Sequence, residues 1–260
     1  PFTHTHLSAG TGKTRIAIRI LEHWARLAAA AAENGQNASP ILATSDSNIA
    51  VDNLVEGCAN VGLRVVRLGR PEAIRPELLR FCVDRPPSSY DRVSSNSSGS
   101  STANAYKERM KQLKSAQIIC CTCIGSGGDI LDALGPLERV LVDEATQATE
   151  PAVLVPLMRG CRQLVLVGDH CQLPPTVLST RAEEEGHGVP LFSRMVACGV
   201  PPFMLDTQYR MHPASTYKMF IWVSLSHTHS HLRSCHVSIR FVLWRSSTEW
   251  CDGTGTETFG

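Results

Sequence analysis

A glycine-rich segment, Gly10–Thr14 (GTGKT), lies directly before a run of residues with helical periodicity. Glycines allow backbone N–H groups to approach an anion closely, and the N-terminus of a helix favours negative charge. The lysine of such a loop neutralises the β- and γ-phosphates of a nucleotide, and the hydroxyl after it can ligate Mg²⁺. The full pattern begins with glycine, where this chain has Leu7. The segment predicts a phosphate site formed by Gly10, Thr11, Gly12, Lys13 and Thr14.

Short apolar runs alternate with helical patterns over most of the chain. Strands are predicted at 40–44, 64–68, 118–122, 140–143 and 164–168, and helices at 13–32 and 48–61. This alternation is typical of an α/β fold with a parallel sheet and helices on both faces. The interval of about 71–114 contains a Ser- and Asn-rich stretch and a polar helical segment. It is predicted to be a partly disordered insertion outside the core sheet.

The composition is that of an ordinary globular protein, with 43% hydrophobic and 19% charged residues. A net charge of +1 does not indicate a nucleic-acid or membrane partner, so any such partner must be inferred from local features. The sequence contains no apolar run of about 18 residues, so no membrane-spanning helix is predicted. The 10 cysteines do not form paired C-x-x-C units at zinc spacing, which favours reduced, buried thiols in an intracellular protein.

Three further segments carry polar residues where strands are predicted to end. The run LVDE places Asp143 where it can orient magnesium and Glu144 where it can accept a proton from water. The run LVLVGDHCQLPP contains Gln172, whose neutral amide can hydrogen-bond a γ-phosphate without adding charge. In QYRMHP, Arg210 can stabilise transition-state charge as an arginine finger does.

Taken in this order, the segments resemble superfamily-one RNA/DNA helicases, above all the helicases of nonsense-mediated mRNA decay. The resemblance extends from about Gly10 to Pro213, and its strongest stretches are Ser45–Cys58, Ile118–Gly128, Asp143–Pro151, Gly168–Pro175 and Gln208–Pro213. It implies a RecA-like P-loop NTPase fold, ATP and Mg²⁺ as cofactors, and ATP hydrolysis coupled to movement on nucleic acid.

The resemblance also assigns residues. It makes Lys13 and Thr14 the phosphate and magnesium residues, and Asp143 and Glu144 the magnesium-organising acid and the general base. Gln172 becomes the γ-phosphate sensor and Arg210 an arginine reaching ATP from a second lobe. It places Ser47, Asn48 and Thr122 in contact with the nucleic-acid backbone. The implied partners are single-stranded nucleic acid, with RNA favoured over DNA, and decay or surveillance factors. The cytoplasm is the favoured location, with the nucleus as the alternative.

The resemblance divides the chain into a first RecA-like lobe at 1–200, the opening strand of a second lobe at 201–214, and an irregular tail at 215–260. Leu7, Ser8 and Ala9 stand where the family has Gly-Pro-Pro. Because most of the second lobe is missing, the chain is expected to be weak or inactive in unwinding.

Two other interpretations remain open. One is a non-catalytic nucleotide- or nucleic-acid-binding fragment of a truncated helicase. The other is a metal-binding tail, formed by His227, His229, His231, Cys235 and His236.

Overall fold

The computed structural model describes residues 12–35, 39–84, 101–169, 173–203 and 240–245. Its helices are α1 Lys13–Glu33, α2 Asn48–Asn60, α3 Ser101–Ser115, α4 Glu150–Leu157, α5 Thr180–Glu184 and α6 Leu191–Ala197. Its strands are β1 Ile41–Ser45, β2 Val65–Arg67, β3 Ile118–Thr122, β4 Arg139–Asp143, β5 Gln163–Gly168 and β6 Arg240–Arg245. Short 3-10 helices lie at Pro71–Ala73, Pro76–Phe81, Ile124–Gly127 and Asp129–Leu134.

The six strands form one sheet in the order β2-β3-β1-β4-β5-β6. The first five strands are parallel, and β6 runs antiparallel to β5. Every strand expected from an apolar run is present, with its limits shifted by at most one residue. The predicted α/β fold with a mostly parallel sheet flanked by helices is therefore confirmed.

Alternating residues of the central strands supply two separate hydrophobic layers. In β1, Ile41 and Ala43 pack with Leu21 of α1 and Leu54 of α2 on one face. Leu42 faces the opposite layer, where α3, α4 and α6 pack. Side chains of successive strand residues point to opposite faces, so a strand buried on both sides must be apolar throughout. This explains why these strands appear in the sequence as continuous apolar runs.

Helix α3 lies in the interval of about 71–114, for which an insertion outside the core sheet is predicted; it adds no strand to the sheet but packs on one of its faces. Its Leu113 is fully buried and its Met110 is 8% exposed, both in the layer that contains β3 and β4. The two residues are three apart and so lie on one side of a helix. The remaining residues of this helix are mostly polar, so its average composition concealed the buried side. Residues 85–100, which include most of the Ser- and Asn-rich stretch, lie outside the described residues.

Strand β6 lies within the segment for which an irregular tail is predicted. Its backbone pairs along the whole of β5, from Gln163 opposite Arg245 to Gly168 opposite Arg240. An unpaired strand edge presents a row of backbone donors and acceptors, and an apolar segment such as RFVLWR can satisfy them. The prediction does not hold for these six residues. Within the described ranges, no helix has both the length and the apolar character needed to cross a bilayer.

The seven cysteines in the described ranges are free thiols, and five of them are buried. Burial raises the pKa of Cys121 and of Cys123 to about 12, with a smaller contribution from the neighbouring thiol in the case of Cys121. These thiols therefore remain protonated and contribute to packing as small apolar groups. Five of the seven described cysteines are buried, in line with the expectation, and their reduced state stays a prediction.

Candidate active site

The N-terminus of α1 lies at the carboxyl edge of the sheet, the edge at which the parallel strands end. Gly12 caps the helix with a φ of 86°, a left-handed conformation that glycine adopts without strain. A Cβ placed on Gly12 would meet nothing within 4 Å, so the backbone conformation, not crowding, requires glycine here. Below this turn, Ala17, Leu21 and Trp24 are buried against the sheet and hold the helix in position.

Two residues of this first turn contact the two acidic residues at the end of β4. The Lys13 ammonium donates a hydrogen bond to Glu144 Oε2 at 3.3 Å. The Thr14 hydroxyl makes a long contact of 3.5 Å with Asp143 Oδ2. About 130 residues separate the partners along the chain. The structure thus brings together the phosphate-loop residues and the acidic pair that the sequence predicts as one site.

Asp143 is the most perturbed carboxyl group of the site. It is 1% exposed, and its pKa is raised from the ordinary value of 3.8 to about 7, chiefly by burial and also by the negative charge of Glu144. The Glu144 backbone N–H, Lys13 and Thr14 act in the opposite direction, and their effect is included in this value. A buried carboxylate is costly unless a cation or hydrogen bonds compensate its charge. Neighbouring protein groups compensate the negative charge of the Asp143 carboxylate only in part.

The oxygen groups at this position fit a magnesium ion. Mg²⁺ prefers oxygen ligands and is usually held by one or two carboxylates together with the phosphates of a substrate. Asp143 and Thr14 provide a carboxylate and a hydroxyl within 3.5 Å of each other. A divalent cation would also relieve the electrostatic penalty that raises the pKa of Asp143. The donor set and its charge therefore fit the metal implied by the family resemblance.

Glu144 adopts a left-handed backbone conformation with a φ of 52°, which no other non-glycine residue in the described ranges does. Such a conformation costs a residue with a side chain about 1–2 kcal/mol. A tight turn holds it, in which the Gln147 backbone N–H donates to the Glu144 carbonyl at 2.9 Å. Strain of this kind persists where a side chain must be aimed in one direction. Here it aims the Glu144 carboxylate at Lys13.

The end of β5 adds residues to which the sequence analysis assigned no role. Asp169 is fully buried, and its Oδ2 lies 4.0 Å from the Lys13 ammonium. The Thr146 hydroxyl donates to the Asp169 carbonyl at 3.0 Å and accepts from the Asp169 N–H at 3.1 Å. A Cβ on Gly168 would lie 2.9 Å from the Thr146 side chain, so only glycine allows this approach. Thr146 thus fastens the turn after β4 to the end of β5.

A sequence signal for Asp169 did exist. Asp169 directly follows a buried apolar strand, much as the acidic pair lies at the end of β4. Because the carboxyl ends of adjacent parallel strands meet at one edge, a carboxylate in this position is a candidate for the same site. Thr146 has no comparable signal, since its role depends on how closely two turns approach each other.

The residues predicted to contact nucleic acid lie at the same edge, beyond β1 and β3. Ser47 caps α2, its hydroxyl accepting a hydrogen bond from the Ala50 N–H at 3.2 Å. Asn48 is exposed, but its Oδ1 accepts from the buried Arg67 guanidinium at 2.7 Å. Thr122 ends β3, and its hydroxyl accepts from the Gly125 N–H at 3.0 Å. Because Arg67 contacts only the amide oxygen of Asn48, both N–H groups of the Asn48 amide are not used in that hydrogen bond.

Arg67 is a third residue that the sequence analysis missed. It is fully buried in β2, and its Nε donates to Asp52 Oδ1 at 3.2 Å. The same guanidinium also contacts the Leu68 carbonyl and Asn48. A buried arginine needs such partners, because an unpaired charge in the core is strongly destabilising. It ties the first turn of α2 to the sheet.

Four of the predicted site residues lie outside the described residues: Gly10, Thr11, Gln172 and Arg210. The same holds for Leu7, Ser8 and Ala9 and for the histidines and cysteine of the proposed metal-binding tail. Among the residues that the structure does describe, no group of three or more His, Cys, Asp or Glu side chains is arranged to hold a metal ion by itself.

Comparison with known proteins identifies relatives of this chain. A family described as "AAA domain" matches residues 2–112 and 91–180. The chain is similar to "Regulator of nonsense transcripts 1" of Caenorhabditis elegans, with 38% identity over 221 residues, covering 78% of this chain and 20% of the relative. It is 36% identical to the homologue of that protein in Arabidopsis thaliana, over 79% of this chain and 17% of the relative. It is 35% identical to "ATP-dependent helicase upf1" of Schizosaccharomyces pombe, over 78% of this chain and 24% of the relative.

These matches confirm the resemblance drawn from the motifs. The chain spans about a fifth of the length of the curated relatives it matches. The matched region includes α1, the acidic pair at the end of β4 and the end of β5, which are the elements that form the site described above.

Proposed function

The chain belongs to the AAA domain family and is related to proteins named as ATP-dependent helicases, and from this premise we propose that it binds and hydrolyses ATP with Mg²⁺. The observation that carries the proposal is the cluster of Lys13, Thr14, Asp143 and Glu144 at the carboxyl edge of the sheet. This edge is where open α/β sheets bind their ligands.

Each residue of the cluster has a distinct role in this proposal. Backbone N–H groups at the start of α1 and the Lys13 ammonium bind the β- and γ-phosphates. The Thr14 hydroxyl and the Asp143 carboxylate hold Mg²⁺, which neutralises charge that develops on the phosphates. Glu144 accepts a proton from the attacking water. Asp169, fastened by Thr146, adds a negative charge beside Lys13 and helps to fix the position of its ammonium group.

Two further roles rest on the family resemblance. We propose Gln172 as the sensor of the γ-phosphate, because it follows β5 by four residues and β5 ends beside Lys13. We propose Arg210 as the arginine that stabilises transition-state charge.

We further propose that the hydrolysis is coupled to single-stranded nucleic acid, with RNA favoured. Ser47, Asn48 and Thr122 would contact the phosphate backbone, a type of contact that carries no sequence information. The exposed amide of Asn48 supports this, since Arg67 holds its oxygen and leaves its two N–H donors for an acceptor. We also propose decay or surveillance factors as partners and the cytoplasm as the location. Both proposals are based on relatives named as regulators of nonsense transcripts.

ATP turnover by the purified chain, with and without single-stranded RNA, tests the proposal. We expect turnover that RNA stimulates, and a loss of at least about 100-fold in both Lys13→Ala and Glu144→Gln. Glu144→Gln should still bind ATP because the phosphate contacts remain, whereas Lys13→Ala should bind it weakly. Arg19→Ala is the matched control, since Arg19 lies on the exposed side of α1 and pairs with Glu22.

The result separates the two main interpretations. ATP binding without turnover, abolished by Lys13→Ala, would leave a non-catalytic nucleotide-binding fragment. The absence of ATP binding in the unaltered chain would contradict the proposal as a whole.

A further inference from the structure

The hydroxyl of Ser45 is buried at the carboxyl edge of the sheet without a hydrogen-bond partner. Ser45 is the last residue of β1 and is fully buried. Its Oγ is one of three buried side-chain polar atoms in the described ranges that lack a partner. The other two are Nε atoms of Arg75 and Arg109, whose guanidinium groups form ion pairs through Nη2. In Ser45 the entire polar group is unpaired.

The orphaned hydroxyl lies beside Asp143. Ser45 is in register with Asp143 of β4, and adjacent strands are about 4.8 Å apart. Ile41 and Ala43 of β1 and Leu141 of β4 face the layer formed with α1 and α2. Because strand side chains alternate, Ser45 and Asp143 both point toward this layer. This is also the side from which Thr14 reaches Asp143.

A buried hydroxyl without a partner costs free energy, so such groups in native proteins call for a specific explanation. Packing does not require the oxygen, since alanine would occupy the same space without a polar atom. The neighbouring Thr44 shows the usual arrangement, with its buried hydroxyl donating to the Leu141 carbonyl at 3.3 Å. The position of Ser45, next to a carboxylate that fits Mg²⁺, suggests a partner that arrives with the metal.

We propose that Ser45 is a further member of the magnesium site, its Oγ hydrogen-bonding a water molecule of the hydrated Mg²⁺ that accompanies the nucleotide. Mg²⁺ gives up its waters reluctantly and usually retains several when protein-bound. Groups that hold such waters orient the ion without ligating it. The inference rests on the proposed function, since it needs Mg²⁺ and nucleotide at Asp143, and it adds a residue for which neither the motifs nor the family resemblance gives a role.

The test is the Mg²⁺ dependence of nucleotide binding by the full chain, followed with a fluorescent ATP analogue, together with thermal unfolding without ligand. In Ser45→Ala we expect the Mg²⁺ concentration for half-maximal binding to rise about five- to tenfold, as for the loss of one ordinary hydrogen bond to a water molecule. Binding in the presence of a chelator should be unchanged. The melting temperature should stay the same or rise, because the variant removes an unsatisfied polar group.

Ser126→Ala is the matched control. Ser126 is also fully buried, but its hydroxyl donates to the Cys123 carbonyl at 2.6 Å. This variant should lower the melting temperature and leave the Mg²⁺ midpoint unchanged. A midpoint within twofold of the unaltered chain in Ser45→Ala would overturn the inference while leaving the proposed function intact. If the unaltered chain showed no Mg²⁺-dependent binding, both the proposed function and this inference would be refuted.

Discussion

At the scale of single residues, the site contains more negative than positive charge. The ammonium group of Lys13 lies within 4.0 Å of carboxylate oxygens of both Glu144 and Asp169, and Asp143 is buried next to Glu144. An enzyme that binds a metal–nucleotide complex can tolerate this imbalance because the ligand corrects it. Without the ligand, the excess of negative charge destabilises the folded chain.

This electrostatic destabilisation leads to a prediction for the variant Asp143→Asn. The folded pKa of Asp143, about 7, exceeds its ordinary value of 3.8, so between these values the folded state holds a proton that the unfolded state has lost. Stability from this group is therefore complete below about pH 4 and is lost as the pH rises through about 7. Relative to the unaltered chain, Asp143→Asn should gain stability over this range, by at most roughly 4 kcal/mol.

Urea unfolding of both proteins at about pH 5 and about pH 8 measures this effect. The stability difference should be larger at the higher pH. Asp129→Asn, which alters an exposed carboxyl group, should give no such trend. Equal differences for Asp143→Asn at the two pH values would show that Asp143 is ionised in the folded chain throughout.

At the scale of secondary-structure elements, α3 provides the sharpest test of the fold. Leu113 is fully buried in the layer that covers one face of the sheet. Leu113→Ala should therefore reduce the free energy of unfolding by about 2–4 kcal/mol, the usual cost of truncating a buried leucine. Lys111→Ala, on the exposed side of the same helix, should change it by less than about 0.5 kcal/mol. Similar small effects for both variants would place α3 outside the core, as its polar sequence suggests.

The elements also show how far the sequence can be read. The strands and α1 were predictable because apolar runs and helical periodicity are local patterns. The contact of Lys13 with Glu144 follows from parallel strands that end at one edge. Contacts between turns were not predictable in this way. The Thr146–Asp169 hydrogen bonds and the Arg67–Asn48 contact depend on three-dimensional approach, for which these residues carry no local pattern.

Strand β6 was missed for a related reason. Its six residues are apolar enough for a strand, but they lie in a segment whose composition is otherwise irregular. Only the free edge of β5, a property of the assembled sheet, explains the pairing.

At the scale of the whole molecule, the described residues assemble around one sheet, and the chain spans about a fifth of the length of its relatives. The family resemblance implies that unwinding requires two lobes, which close around ATP and open after hydrolysis, and the described residues form one sheet. We therefore expect the 260-residue chain alone to separate an RNA duplex no faster with ATP than without it.

A fluorescence unwinding assay on a duplex with a single-stranded overhang measures this, with Glu144→Gln as the hydrolysis-deficient control. ATP-dependent strand separation that Glu144→Gln abolishes would contradict the expectation. It would indicate that the chain forms a motor by self-association.

The parallel arrangement has a practical consequence at the other end of the sheet. The turn at 61–64 joins α2 to β2 at the amino edge, and a five-residue strand such as β1 separates the two edges by about 16 Å. Val61 in this turn is 37% exposed, and a Cβ on the adjacent Gly62 would meet nothing within 4 Å. A click-reactive amino acid at Val61 would give a labelling position remote from the nucleotide. Such a chain could be immobilised or tracked as a single-molecule sensor with its chemistry undisturbed.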